Sequence, residues 1–112
     1  SNLTAMIRKV VEICERHHIE VGVIAHAGDG NLHPCMVFDR RDEDEFERVR
    51  KVCADLVPEA LALGGTLSGE HGIGIAKAPF LNLEMDPVAL RTMKGIKDYF
   101  DPKGILNPGK FV

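Results

Sequence analysis

With 112 residues, 45% of them apolar and 28% charged, the chain has the make-up of one small globular domain or of a part of a larger protein. Its net charge of −3, with no run of Lys and Arg, excludes a basic nucleic-acid-binding patch. No apolar run approaches the roughly 18 residues that cross a bilayer and no secretory leader is visible. Cys14, Cys35 and Cys53 are scattered and odd in number, which predicts reduced thiols and a cytoplasmic location.

Leu3, Met6, Ile7, Val10, Val11 and Cys14 recur at helical spacing, so residues 4–17 read as an amphipathic helix. His17 and His18 at its end read as C-terminal cations favoured by the helix dipole. Residues 20–25 and 35–38 are short runs suited to strands, and Asp29-Gly30 between them is a hairpin signal. With Asp29-Gly30 as the turn, His26 opposes His33, Val21 opposes Phe38 and Val23 opposes Met36. Directly opposed residues share a sheet face with Cβ atoms ~5 Å apart, so this register buries one face and aims both imidazoles together from the other.

Asp42 with Glu45 three positions on resembles a capping box. The helix it opens carries Phe46, Val49, Cys53, Leu56, Val57 and Ala60 on one face and ends at Gly64-Gly65, with a bend or break expected at Pro58. Thr66 to Ser68 is long enough for a short strand leading into Gly69-Glu70-His71-Gly72. Asp86-Pro87 is an N-cap followed by proline at the first helical position. Leu90, Met93, Ile96 and Phe100 mark one face of the last helix, which ends near Asp101-Pro102, and the tail to Lys110 is turn-forming. The α-β-β-α-β-α order predicts an α+β fold, a small antiparallel sheet built on the hairpin 20–38 with helices packed on one face.

His26, His33 and Glu70 form a set of two imidazoles and a carboxylate, which suits Zn²⁺, or Fe²⁺ or Mn²⁺, with coordination positions left open for substrate. The plainer alternative is that both histidines only brace the turn by hydrogen bonds. Glycines around Glu70 would let backbone approach a ligand closely. In extended chain His71 points away from the Glu70 carboxylate. That suits proton transfer better than ligation of the same metal, against the plainer reading of a surface or capping histidine. Asn31 either hydrogen-bonds substrate or occupies a left-handed turn position. Gly28–His33 lacks the third glycine of a dinucleotide fingerprint, and Gly64–Gly69 lacks the Lys-Ser/Thr of a P-loop.

Three stretches carry a resemblance: His26-Ala-Gly-Asp-Gly-Asn-Leu-His33, then Ser68-Gly-Glu-His-Gly-Ile-Gly74, then Asp101-Pro-Lys-Gly-Ile-Leu-Asn-Pro-Gly-Lys110. In this order they resemble the C-terminal domain of FAD-linked oxidases of the vanillyl-alcohol-oxidase type. That group includes the glycolate oxidase GlcD-type subunit, D-lactate dehydrogenases and D-2-hydroxyglutarate dehydrogenase. The resemblance implies a partial ferredoxin-like cap and oxidation of a D-2-hydroxy acid to the 2-oxo acid, with hydride passing to FAD and electrons going on to an unnamed acceptor. It implies that His26, His33 and Glu70 bind a divalent metal, commonly zinc. It further implies that His71 takes the hydroxyl proton, Asn31 contacts the small 2-hydroxy-acid substrate and Asn107 lies near the flavin.

The flavin-binding domain of such proteins has no counterpart among these residues. Residues 1–112 are therefore read as a single C-terminal domain of a ~450–500-residue enzyme, inactive by itself and open to self-association through apolar surface left uncovered. Its location would be cytoplasmic, or peripheral at the inner membrane in the full-length enzyme. A stand-alone zinc hydrolase and a non-enzymatic metal-binding or interaction module are the competing readings. Neither has an evident need for Asn107-Pro108-Gly109-Lys110.

Overall fold

The computed structural model describes residues 2–110, which divide into two compact units between Gly65 and Thr66. The first unit contains helix α1 (Leu3–Arg16), strands β1 (Glu20–His26) and β2 (Asn31–Val37), and helix α2 (Glu43–Ala62). β1 and β2 pair antiparallel as a two-stranded sheet. Val10, Ile13 and Cys14 of α1, Ile19, and Val49, Val52 and Leu56 of α2 make the buried core. Val21, Val23, Met36 and Phe38 pack against it, so both helices cover one face of the hairpin. This is the expected α+β architecture.

The hairpin register differs from the expected one by two residues. Val21 opposes Met36, Ile24 opposes His33 and His26 opposes Asn31. The cause lies in the turn. An Asp-Gly pair closes a two-residue hairpin only when both residues take positive φ, and here Gly30 does so (φ +73°) whereas Asp29 does not. The loop is instead four residues long, Ala27 to Gly30, closed by the amides of Asp29 and Gly30, which both donate to the His26 carbonyl at 3.0 Å. A shift of two preserves side-chain parity, so every residue stays on its expected face.

Asp42 caps α2 by accepting from the Asp44 and Glu45 amides. The reciprocal half of the capping box is redirected, because Glu45 Oε2 accepts from the Asp39 amide at 2.7 Å. Pro58 sits inside α2, which runs on unbroken to Ala62. It ends where Gly64 turns into positive φ (+79°) and the Gly65 amide donates to the Ala60 carbonyl. His17 and His18 are not simply dipole-favoured cations. His17 Nε2 lies 2.8 Å from Asp55 Oδ2 on α2, and the His18 carbonyl, at positive φ, accepts from Arg48 Nη1 at 2.7 Å. These contacts join the end of α1 to the middle of α2.

The second unit opens with an irregular loop, residues 66–73, followed by helix α3 (Gly74–Lys77), a 3₁₀ turn (Ala78–Phe80), helix α4 (Leu81–Glu84), helix α5 (Pro87–Phe100) and a turn-rich tail. The strand expected at Thr66–Ser68 is absent. Thr66 Oγ1 donates to the Ser68 carbonyl and accepts from the Ser68 amide, curling the backbone on itself in place of a ladder. The helical pieces from Gly74 to Glu84 have no counterpart in the sequence reading, since each is only about one turn long and none has a side-chain N-cap. α5 matches expectation, with Asp86 accepting from Val88 and Ala89 and Pro87 at the first position. None of its residues is buried; Val88, Ile96, Tyr99 and Phe100 are all more than half exposed. Among the described residues no helix is long and apolar enough to cross a membrane.

Candidate functional site

The outer face of the hairpin carries Gly22, Ile24 and His26 from β1 and Asn31, His33 and Cys35 from β2. The period of two that sends Val21, Val23 and Met36 into the core sends these residues to the opposite side. His26 and His33 are therefore diagonal neighbours rather than a directly opposed pair. Their rings meet edge to face with centroids 5.2 Å apart. Asn31 stands directly across from His26, half-buried, and is the first residue of β2 rather than a left-handed turn residue. Two imidazoles on adjacent strands of one rigid hairpin, with an amide beside them, can supply nitrogen ligands to one ion and a hydrogen-bonding group next to it.

Glu70 and His71 lie in the loop of the second unit, both exposed. The expected divergence of the two side chains does not hold: His71 Nε2 is 3.6 Å from Glu70 Oε1. Alternation of sides belongs to extended chain, and this segment bends from Gly69 to His71, with Gly72 at positive φ (+75°). A cleft of ≈ 330 Å³ lies along the loop, lined by Thr66, Ser68, Glu70, Ile73, Glu84 and Met85 among others. Glu84 was not singled out from the sequence. Its Oε2 accepts from the Leu67 amide at 2.8 Å, a partner 17 residues away that no local pattern marks.

The tail is ordered by another residue that sequence reading passed over. The Asp101 side chain is 2% exposed. Its Oδ1 accepts from the Ile105 amide and its Oδ2 from the Leu106 amide, each at 2.9 Å, and Oδ2 also pairs with Lys97 Nζ. Beyond this clamp, Asn107 takes positive φ (+48°), and the Lys110 amide donates back to its carbonyl across Pro108-Gly109. Proline second and a positive-φ glycine third are what a type II turn requires.

The Lys97 ammonium, then the Leu106 and Ile105 amides, hold the Asp101 carboxyl below its ordinary value against the opposing effect of burial. A carboxyl depressed in the folded state adds stability above its unfolded pKa of about 3.9 and loses it as pH falls through the lower folded value. An Asp101→Asn variant should therefore show a smaller drop in urea midpoint than the parent as pH is lowered from about 5 into that range. Equal slopes would dismiss the clamp as an acid-sensitive element. Cys14 and Cys53 are pushed up, Cys14 by burial and by Cys53 and Cys53 by burial, which keeps both thiols protonated and unreactive.

The family described as FAD linked oxidases, C-terminal domain, matches residues 1–111. Among curated relatives, the glycolate oxidase subunit GlcD of Bacillus subtilis is 43% identical over 110 residues, 98% of this chain and 23% of that protein. The mitochondrial D-lactate dehydrogenase [cytochrome] of Arabidopsis thaliana is 39% identical over 112 residues, 100% of this chain and 20% of that protein. A D-lactate dehydrogenase of Archaeoglobus fulgidus is 44% identical over 106 residues, 94% of this chain and 23% of that protein. The chain thus spans about a fifth of the length of these relatives. With the match running almost from end to end, the chain belongs to the family of FAD-linked oxidase C-terminal domains.

Proposed function

We propose that this chain supplies the substrate- and metal-binding part of a flavin-dependent enzyme that oxidises a D-2-hydroxy acid, of the glycolate or D-lactate type, to the 2-oxo acid. The observation that carries the reading is the pair of imidazoles presented on one hairpin face within a chain of this family. Relatives named glycolate oxidase subunit and D-lactate dehydrogenase support the substrate class.

The donor set fits a divalent metal such as zinc, with His26 and His33 offering imidazole nitrogen and Glu70 a carboxylate oxygen. Three protein ligands would leave positions open for substrate oxygens, toward which the metal would supply Lewis acidity. FAD, held chiefly by the rest of a longer protein, would supply the hydride acceptor. His71 takes the hydroxyl proton as that hydride departs, so the two electrons and the proton are both accounted for. Asn31, beside His26, would hydrogen-bond the substrate, and Asn107 would contribute to the flavin site.

The exposed apolar side chains of α5 and the tail, Ile96, Tyr99, Phe100, Ile105 and Leu106, are the surface for the remainder of that protein. The three free thiols suit a cytoplasmic setting.

The test is anaerobic addition of glycolate, D-lactate and L-lactate to the full-length flavoprotein. Bleaching of oxidised flavin by the first two and not by L-lactate is the expected result. No bleaching by any 2-hydroxy acid, with zinc present, would dismiss the reading. The 112-residue chain alone should neither retain flavin through gel filtration nor turn over.

A further inference from the structure

The loop that bears Glu70 and His71 has no strand or helix of its own. Thr66 and Ser68 tie to each other within it, which sets local curvature. A 2.8 Å hydrogen bond from the Leu67 amide to Glu84 Oε2 ties the loop to the end of α4. Leu67 is buried (9% exposed) and Glu84 is half-buried, so water competes weakly for this bond. An ionised acceptor makes such a bond roughly twice as strong as a neutral pair. Glu84 also lines the same cleft as Glu70, and two residues later Asp86 caps α5. The carboxylate therefore joins the end of α4 to a loop residue, Leu67, that is three positions from Glu70.

We infer that Glu84 is a positioning residue: by holding the Leu67 amide it fixes the loop conformation in which Glu70 and His71 are presented. This rests on the roles given above to Glu70 and His71, and extends them to a residue that touches neither metal nor substrate. Partners one step removed from a ligand commonly change metal affinity or activity 10–100-fold when lost.

The experiment compares Glu84→Ala and Glu84→Gln in the full-length protein by amide hydrogen exchange and by zinc affinity in chelator competition. Glu84→Ala should speed exchange across Leu67–Gly72 at least about tenfold, leave the Val10 and Val52 amides unchanged, and weaken zinc at least about tenfold. Glu84→Gln keeps an acceptor oxygen and should restore both to within about threefold of the parent. Unchanged loop exchange in Glu84→Ala overturns the proposal, and so does zinc affinity within about twofold of the parent despite a loosened loop. Slowing or speeding of all amides together would also overturn it, since that marks a general structural role. If the parent takes up no zinc, the metal reading fails separately. Glu84 is then judged on exchange alone, where a Glu84→Ala loosening confined to the loop and rescued by Glu84→Gln sustains it and any other pattern overturns it.

Discussion

Glu70→Ala and His33→Ala in the full-length protein are each expected to remove bound zinc and lower kcat on a D-2-hydroxy acid about 10³-fold, with flavin content unchanged. The size follows from the several kcal/mol that a Lewis-acid metal contributes at the transition state, at one decade per 1.4 kcal/mol. Folding should be little affected, because Glu70 lies exposed on a loop and His33 is half-buried on the face of the hairpin opposite the core. His71→Ala separates the roles. It should keep zinc and KM while losing kcat, since a proton acceptor acts in the chemical step and a metal ligand acts also in binding. Metal analysis beside steady-state kinetics reads all three variants. Zinc retained at full stoichiometry in both ligand variants would sink the metal assignment, and an unaltered kcat in His71→Ala would sink its role as the base.

Ile13→Ala should cost about 2–5 kcal/mol of stability, whereas Ile24→Ala should stay within about 0.5 kcal/mol of the parent. The residue type is the same and the environments are opposite. Ile13 is 2% exposed in the cluster between α1, α2 and the inner hairpin face; Ile24 is 64% exposed beside His33 on the outer face. Truncation of Ile13 removes buried methylene and methyl contacts and leaves a cavity that close-packed neighbours only partly fill. Against a typical total of about 5–15 kcal/mol, that loss is large. Urea unfolding of the chain gives both values, and a comparable loss at Ile24 would contradict its exposed position.

Several features were legible in the residues alone because their causes are local. Helix spans follow from period 3.6 and from caps within a few positions, as with α1, the Asp42 cap of α2 and the Asp86-Pro87 start of α5. The face of the hairpin that would hold His26 and His33 was also legible, since alternation fixes parity whatever the turn. The family resemblance, carried by three motifs in order, was local in the same sense and agrees with the match over residues 1–111.

Register, loop shape and anchoring required the tertiary structure. Whether Asp29 or Ala27 begins the turn depends on which amides reach the His26 carbonyl, a choice of hydrogen bonds that Asp-Gly alone does not make. The bend at Gly69–His71 that brings His71 within 3.6 Å of Glu70 replaced the extended chain assumed for it. The grip of Glu84 on Leu67 spans 17 residues, and Arg48 reaches the His18 carbonyl across 30. In sequence each such pair is two unrelated side chains. Composition and periodicity describe which residues are buried and which face they take, because those depend on neighbours along the chain. The aim of a particular carboxylate or imidazole depends on a partner that only folding brings near.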